Sequence, residues 1–385
     1  MKKYFYPISA LLMAGCLLLG GMPVHANAEE ELGGGCKAAY ACDFVSGTPI
    51  YSKNETERLP IASMCKIMTL LLSFEAVDRG ELQYDEQITV SENASGMGGS
   101  QVYLDTGLSY SAEELMKTVA VCSANDSCVA LAERVAGSES AFVERMNVRA
   151  RELGAENTLF ANCTGLPKEP QYSCAKDVST MLREMLSHEK YFEFSRIWLE
   201  DFAHPDGRTT QITNTNKLIR SYNGCDGGKT GFTSEAGFCL AATAKRGETR
   251  LVSVVIGAES SKGRFGAISD LFDFGFGNYE NKVMLEAGKP LEERVSVRGG
   301  KVKDIAVAVM EPLCAFCKKG TTDGHTIQYT FHEDLRAPIL AGDEVGEAVL
   351  YLQGVEICRC KLVSLDSVEK RSWWDSFRDT ARDWQ

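Results

Sequence analysis

The run Ile61-Ala62-Ser63-Met64-Cys65-Lys66-Ile67-Met68-Thr69-Leu70-Leu71-Leu72-Ser73-Phe74 is apolar on nearly every side. A helix of this kind has to be buried, so the rest of the chain must supply the shell around it. The pattern predicts a start at Ser63 and a stop at Gly80, because glycine accepts the left-handed backbone that follows a helix end. Residues three apart share a helix face, so the Ser63 hydroxyl and the Lys66 amine meet at the first turn. The helix N-terminus adds unpaired N–H groups and a partial positive charge, which favour an oxyanion beside Ser63. A hydroxyl, an amine to deprotonate it and donors for negative charge are the parts of an acyl-transfer site. Ser-x-x-Lys alone also arises by chance as a solvent-facing pair, so the surrounding chain has to carry the argument.

The shell is legible in outline. Residues 37–44 and 49–52 read as strands around a turn at Gly47, and Ser111-Ala112-Glu113-Glu114 opens a helix with a capping box. Two more helices are predicted over 126–136, ending at Gly137, and 139–153, ending at Gly154. Residues 238–244 and 250–257 are β-rich runs joined by Arg246-Gly247-Glu248, a hairpin, and a helix follows over 265–274. Strands on both sides of a helical middle predict an α/β (α+β) arrangement: an antiparallel sheet packed by helices, with a helical subdomain inserted. Beyond a composition shift near residue 280, short strand candidates at 295–297, 305–310, 327–331 and 345–352 form a separate small all-β domain. With 385 residues, two such domains fit the length.

Both ends carry addresses. Lys2 and Lys3, an apolar run over 8–21 and Ala26-Asn27-Ala28 make residues 1–28 an export signal, with lipoprotein processing at Cys16 the alternative. The expected division is therefore 1–28, 29–280, 281–368 and a terminal helix over 369–385. On that helix Trp373, Trp374, Phe377, Ala381 and Trp384 fall within an arc of about 100°, a stripe suited to a membrane surface. The competing reading is a helix docked on its own β domain. The net charge of −12 and the lack of a basic patch exclude nucleic acid as a partner.

Two further motifs join the first. Ser123-Ala124-Asn125 sits at a predicted break between helices, where a turn aims a hydroxyl and an amide into a cleft. By itself it reads better as a helix N-cap. Lys229-Thr230-Gly231 follows Asp226-Gly227-Gly228 at the start of a strand. There, glycine admits a ligand close to the backbone, and the other two offer a charge and a hydroxyl to a carboxylate. In this order the three motifs are the signature shared by class A β-lactamases and penicillin-binding proteins. The chain resembles the low-molecular-mass penicillin-binding proteins, D-alanyl-D-alanine carboxypeptidases of peptidase family S11. The likeness extends to Ser91-Glu92-Asn93, Met97-Gly98-Gly99-Ser100, Asn162-Cys163-Thr164-Gly165-Leu166, Tyr172-Ser173 and Phe232-Thr233.

The resemblance implies a β-lactamase/transpeptidase-like domain and a set of roles. Ser63 would attack the carbonyl of a D-Ala-D-Ala peptide bond in a peptidoglycan stem, forming an acyl-enzyme that water hydrolyses. Lys66 would take the Ser63 proton, for which its amine must be neutral, an effect expected of burial and of the Lys229 cation. Ser123 would pass a proton to the leaving amine, and Asn125 would hold the peptide backbone. The N–H groups of Ser63 and Phe232 would form the oxyanion hole, beside Gly231. Lys229, Thr230 and Arg264 would bind the terminal carboxylate. β-Lactams would acylate the same serine, and no metal or cofactor is required. The same site could also serve a D,D-endopeptidase or a β-lactamase. Glu169 lies in the loop where a β-lactamase keeps its deacylating glutamate, but Pro167-Lys168-Glu169-Pro170 does not match that motif. A non-catalytic wall-binding scaffold is the reading from another class.

The cysteines fit none of this. There are 14, and loss of Cys16 with the signal leaves an odd number, which suits free thiols in a reducing habitat. Cys314, Cys317, Cys358 and Cys360 could meet as a metal site or two disulfides, though unpaired thiols are the favoured reading for them as well.

Overall fold

The computed structural model describes residues 32–321 and 324–375. The expected export signal lies outside them, as does most of the expected terminal helix. Of the latter, residues 373–375 are helical, opened by Ser372, whose hydroxyl accepts the Asp375 N–H at 3.2 Å.

The frame is an antiparallel five-stranded sheet in the order Pro49–Lys53, Ala38–Asp43, Thr249–Ala258, Gly237–Arg246, Cys225–Thr233. Its middle strands are apolar without alternation because both faces are covered, and residues 251–258 are buried throughout. Helices Ala175–Met185 and Ser261–Asn278 pack on this sheet, and Ala175–Met185 also packs on the helix Lys66–Asp78. That helix is buried from Lys66 through Phe74 and lies among Ala112–Val121, Asn125–Ala136 and Glu139–Glu152, the helical subdomain. Cys225–Thr233 is the edge of the sheet, paired on one side only, which leaves its outer backbone groups for the cleft.

Local chemistry set the element ends as expected. Gly80, Gly137 and Gly154 take positive φ after their helices, and the Ser111 hydroxyl accepts the Glu114 N–H at 3.2 Å. Two expectations need correction. The first helix does not begin at Ser63: residues Ala62–Cys65 form a turn of 3-10 helix, and the α-helix starts at Lys66. Ala62 holds φ +47°, which no regular helix accommodates. The helix expected over 265–274 runs Ser261–Asn278, because the Ser260 hydroxyl caps it early by accepting the Gly263 N–H at 2.9 Å.

From Asn278 the chain passes directly into the strand Tyr279–Leu285, which pairs with Leu313–Lys318. A second five-stranded antiparallel sheet, Arg294–Ser296, Asp304–Val309, Val355–Ser364, Glu344–Leu352, His325–Phe331, completes an all-β domain around Ile305, Val307, Val345, Leu350 and Leu362. Asn281 fastens the two parts. Its amide donates to the Asp43 carboxylate at 2.9 Å and its backbone N–H to the Thr249 hydroxyl at 2.8 Å. The four cysteines left open lie on the strands Leu313–Lys318 and Val355–Ser364. All cysteines among the described residues are free thiols, and no group of three or more metal-ligating side chains converges there.

Candidate active site

Ser63 sits half-buried in the 3-10 turn, and two glycines hold that turn in place. A methyl group on Gly165 would lie 2.1 Å from the Ala62 carbonyl oxygen, and one on Gly231 would lie 2.6 Å from that of Ile61. Neither site can take a side chain, so two backbones close on the nucleophile's turn from either side. The Gly231 clamp also brings the edge strand against the Ser63 N–H, since that same methyl would be 3.2 Å from the Ser63 nitrogen. Gly165→Ala tests the clamp, because its φ of +80° adds strain to the collision. The expected result is a loss of at least about 2 kcal/mol of stability together with slowed acylation by a fluorescent penicillin. A folded variant that acylates at the normal rate would show that the turn is held elsewhere.

Lys66 is fully buried. Its Nζ donates to Ser63 Oγ at 3.0 Å and to the Thr164 carbonyl at 2.5 Å. Thr164 belongs to a loop that Asn162 folds on itself: its Oδ1 accepts the N–H groups of Thr164 (3.2 Å) and Gly165 (2.7 Å), and its amide donates to the Leu166 carbonyl. The Cys65 thiol is buried and donates to the Asn162 carbonyl at 3.2 Å.

Ser123 stands in the break between helices Ala112–Val121 and Asn125–Ala136, with φ +67°. A non-glycine residue held there costs on the order of 1–3 kcal/mol, and such strain concentrates at functional sites. The N-cap reading of this motif fails: Ala124 occupies the N-cap, with no side-chain capping bond. The Asn125 amide instead donates to the Gly98 carbonyl at 2.6 Å, and its Oδ1 is buried without a partner. A buried acceptor left open and fixed by its own nitrogen is suited to a ligand N–H. Asp126, unremarked in the sequence, holds this side of the cleft. Its carboxylate accepts the N–H groups of Val102, Leu104 and Ser127, and burial raises its pKa despite those bonds.

Across the cleft Lys229 is 1% exposed, with Nζ 2.8 Å from Ser123 Oγ and 3.0 Å from the Thr230 carbonyl. Burial, and then the positive charge of Lys66, push the Lys229 ammonium well below the ordinary lysine range. Thr230 is buried beside it, Gly231 faces Ser63, and Phe232 is exposed against Phe238 with ring centroids 4.4 Å apart. The bulge before Lys229 is braced by residues the sequence reading passed over. The Tyr191 hydroxyl accepts the Gly228 N–H at 2.9 Å, the Asn216 amide donates to the Gly227 carbonyl, and Arg250 forks onto the Asp226 carboxylate at 2.7 and 2.9 Å.

Arg264 is also brought to the edge strand, but it is buried and bonded to backbone. One guanidinium nitrogen donates to the carbonyls of Gly231 (3.0 Å) and Cys239 (3.3 Å). Its Nε is buried and unpartnered, and burial lowers its pKa. The structure thus gathers Ser63, Lys66, Ser123, Asn125, Lys229, Thr230 and Gly231 in one cleft, with Arg264 behind the Gly231 carbonyl. Two hydroxyl–amine pairs, Ser63 with Lys66 and Ser123 with Lys229, stand ready to move protons on either side of an attacked carbonyl.

Comparison with known proteins agrees with this chemistry. The family model for D-alanyl-D-alanine carboxypeptidase matches residues 26–260, and that for the penicillin-binding protein 5 C-terminal domain matches 279–370. The chain is 36% identical to the D-alanyl-D-alanine carboxypeptidase DacF of Bacillus subtilis over 380 residues, covering 97% of each chain. It is 32% identical to DacD of Escherichia coli, covering 88% of each. Penicillin binding protein 5 of Haemophilus influenzae superposes with a TM-score of 0.66 at 29% identity, covering 87% of this chain and 98% of that one.

Proposed function

Because the chain belongs to the D-alanyl-D-alanine carboxypeptidase family, we infer that Ser63 is its nucleophile and that the two lysines divide the proton transfers between them. The protein is a serine-type D-Ala-D-Ala carboxypeptidase, a hydrolase of a family that penicillin acylates. Its substrate is the peptidoglycan stem ending in D-Ala-D-Ala, and its place of action is extracytoplasmic.

In the proposed sequence Ser63 Oγ attacks the penultimate D-alanine carbonyl while its proton passes to Lys66 Nζ, 3.0 Å away. The N–H groups of Ser63 and Phe232 receive the developing oxyanion, worth about 3 kcal/mol per donor in comparable sites. The C–N bond then breaks, and the leaving D-alanine nitrogen takes a proton through Ser123, which Lys229 contacts at 2.8 Å. Water enters where D-alanine left and hydrolyses the ester. The open Oδ1 of Asn125 accepts a substrate backbone N–H, and Lys229 with Thr230 receives the carboxylate. Arg264 supports that end of the strand through the Gly231 carbonyl. The observation that carries the reading is the pair of amine–hydroxyl contacts, Lys66 with Ser63 within one turn and Lys229 with Ser123, side chains 106 residues apart in sequence. Benzylpenicillin followed by peptide mapping tests it: the adduct is expected on Ser63, and an adduct on any other residue rejects the assignment.

We also propose that the export signal delivers the chain across the membrane and that the tryptophan stripe holds it there. Trp373 and Trp374 are 69% and 63% exposed, and among the described residues no helix is long and apolar enough to cross a membrane. Attachment then rests on aromatic burial in the interface. Deleting residues 371–385 is expected to move the enzyme from the membrane fraction to the soluble one with peptidase activity retained. An unchanged membrane fraction rejects the anchor.

A further inference from the structure

Three stretches of the β domain that are far apart in sequence are stitched together where the chain leaves that domain. The Arg298 N–H donates to the Leu335 carbonyl at 2.8 Å, and the Ala337 N–H to the Arg298 carbonyl at 3.0 Å. Ile339 and Val368 exchange both backbone bonds. The Lys301 N–H donates to the Glu369 carbonyl at 3.0 Å, and the Arg371 N–H to that of Gly299 at 2.8 Å. Gly300 is pressed against this seam, since a methyl group there would lie 2.6 Å from a Val368 side-chain carbon. Residues 298–303, 334–341 and 368–371 therefore form one continuous surface, and the helical turn with Trp373 and Trp374 follows directly from it.

Its charge is opposite in sign to that of the whole chain. Residues 298–303, 334–341 and 368–370 carry five bases, Arg298, Lys301, Lys303, Arg336 and Lys370, against two acids, Asp334 and Glu369, on a chain of net charge −12. All seven are exposed. Arg298 and Arg336 share the Asp334 carboxylate, and Lys301 pairs with Glu369 at 2.5 Å. Lys303 and Lys370 make no ion pair among the described residues. Val302 and Leu340 stand among these charges, 53% and 64% exposed. A polyanion in water has no use for an exposed valine and leucine. A bilayer surface takes both kinds of group, the apolar side chains at the acyl boundary and the bases at the headgroups. We propose that this end of the β domain is a docking surface for a bilayer that contains anionic phospholipid. The tail holds the enzyme to the membrane, and this surface sets the angle at which it stands. The inference extends the anchor reading above and adds a preference that the tail cannot supply, because residues 371–385 contain three arginines and three aspartates. No run of letters announces the cluster, since its bases come from three separate segments.

The test is co-sedimentation of the full-length enzyme, lacking only the export signal, with vesicles of phosphatidylcholine alone or with about a third phosphatidylglycerol, at about 0.1 M salt. Each base close to an anionic surface favours binding about fivefold, so a preference of about thirtyfold for the anionic vesicles is expected. Salt near about 1 M should erase it. In Lys303→Gln/Lys370→Gln the preference should fall about tenfold, with binding to phosphatidylcholine and D-alanine release from a soluble pentapeptide unchanged. Val302→Ser/Leu340→Ser should weaken binding to both kinds of vesicle. All four side chains are exposed, so both double variants should fold. Equal partitioning of the wild type between the two vesicles overturns the docking surface and leaves the tryptophan anchor standing. An undiminished preference in the lysine variant overturns it as well, and unchanged binding of the Val302→Ser/Leu340→Ser variant turns the surface into a site for an aqueous polyanion. Deletion of residues 371–385 that leaves vesicle binding as it was overturns the anchor instead.

Discussion

Ser63→Ala is expected to lower kcat for D-alanine release by about five to six orders of magnitude, the cost of removing the nucleophile in a comparable hydrolase, and to abolish covalent penicillin labelling. The fold should survive. Ser63 is half-buried, and Lys66 keeps the Thr164 carbonyl as a partner when the hydroxyl is gone. The clamp by Gly165 and Gly231 acts on backbone, so the turn stays where it is. The measurements are D-alanine release from a pentapeptide, gel labelling with a fluorescent penicillin and a thermal melt of the same preparation. Release within tenfold of wild type from a normally folded variant would falsify the assignment of the nucleophile.

Lys229→Met should do two opposite things: abolish turnover and raise thermal stability. Turnover fails because the carboxylate loses its cation and Ser123 loses the contact through which a proton moves. Stability rises because a buried ammonium costs several kcal/mol in desolvation, and Lys66 adds repulsion. Against this stand two hydrogen bonds, to Ser123 and the Thr230 carbonyl, at about 1 kcal/mol each. Desolvation wins, and a Tm increase of a few degrees is expected. The pH dependence follows from the direction of the shift. The folded-state pKa of Lys229 lies below its unfolded value, so the unfolded chain binds more protons between the two, and wild-type stability climbs as pH rises through that window. It is complete above the unfolded value near about 10.4 and is lost as pH falls through the folded one. The advantage of Lys229→Met is therefore largest at low pH and narrows toward alkaline pH. A lower Tm for the variant, or a gap that does not change with pH, would mean that the buried amine carries no such penalty.

Local rules made the outline readable. Gly80, Gly137 and Gly154 ended helices, Ser111 began one, and Gly247 turned the hairpin between Gly237–Arg246 and Thr249–Ala258. Each of these depends on one residue's own conformational preference, which is present in the letters. The nucleophile's turn was misread because nothing about alanine announces a left-handed backbone at Ala62, a turn against which Gly165 and Gly231 pack too closely for any side chain of their own. Ser123 is held left-handed in the same unannounced way. Asp126, Tyr191 and Asn216 went unnoticed because their partners are backbone groups, and a backbone group leaves no mark in a sequence. The helix Ala175–Met185 is a different omission, since Val178, Met181, Leu182 and Met185 do recur at helical spacing.

The junction between the two domains has a mechanical consequence. Helix Ser261–Asn278 ends and strand Tyr279–Leu285 begins at the next residue, and Asn281 ties that strand to Asp43 and Thr249 across the seam. No slack segment separates the peptidase part from the part that leads to the tail. If the proposed anchor holds the carboxyl end, such a joint would make the enzyme a rigid arm, not a leash. Under the proposed mooring, such an arm would reach the wall at one altitude and trim the stems that pass through that plane.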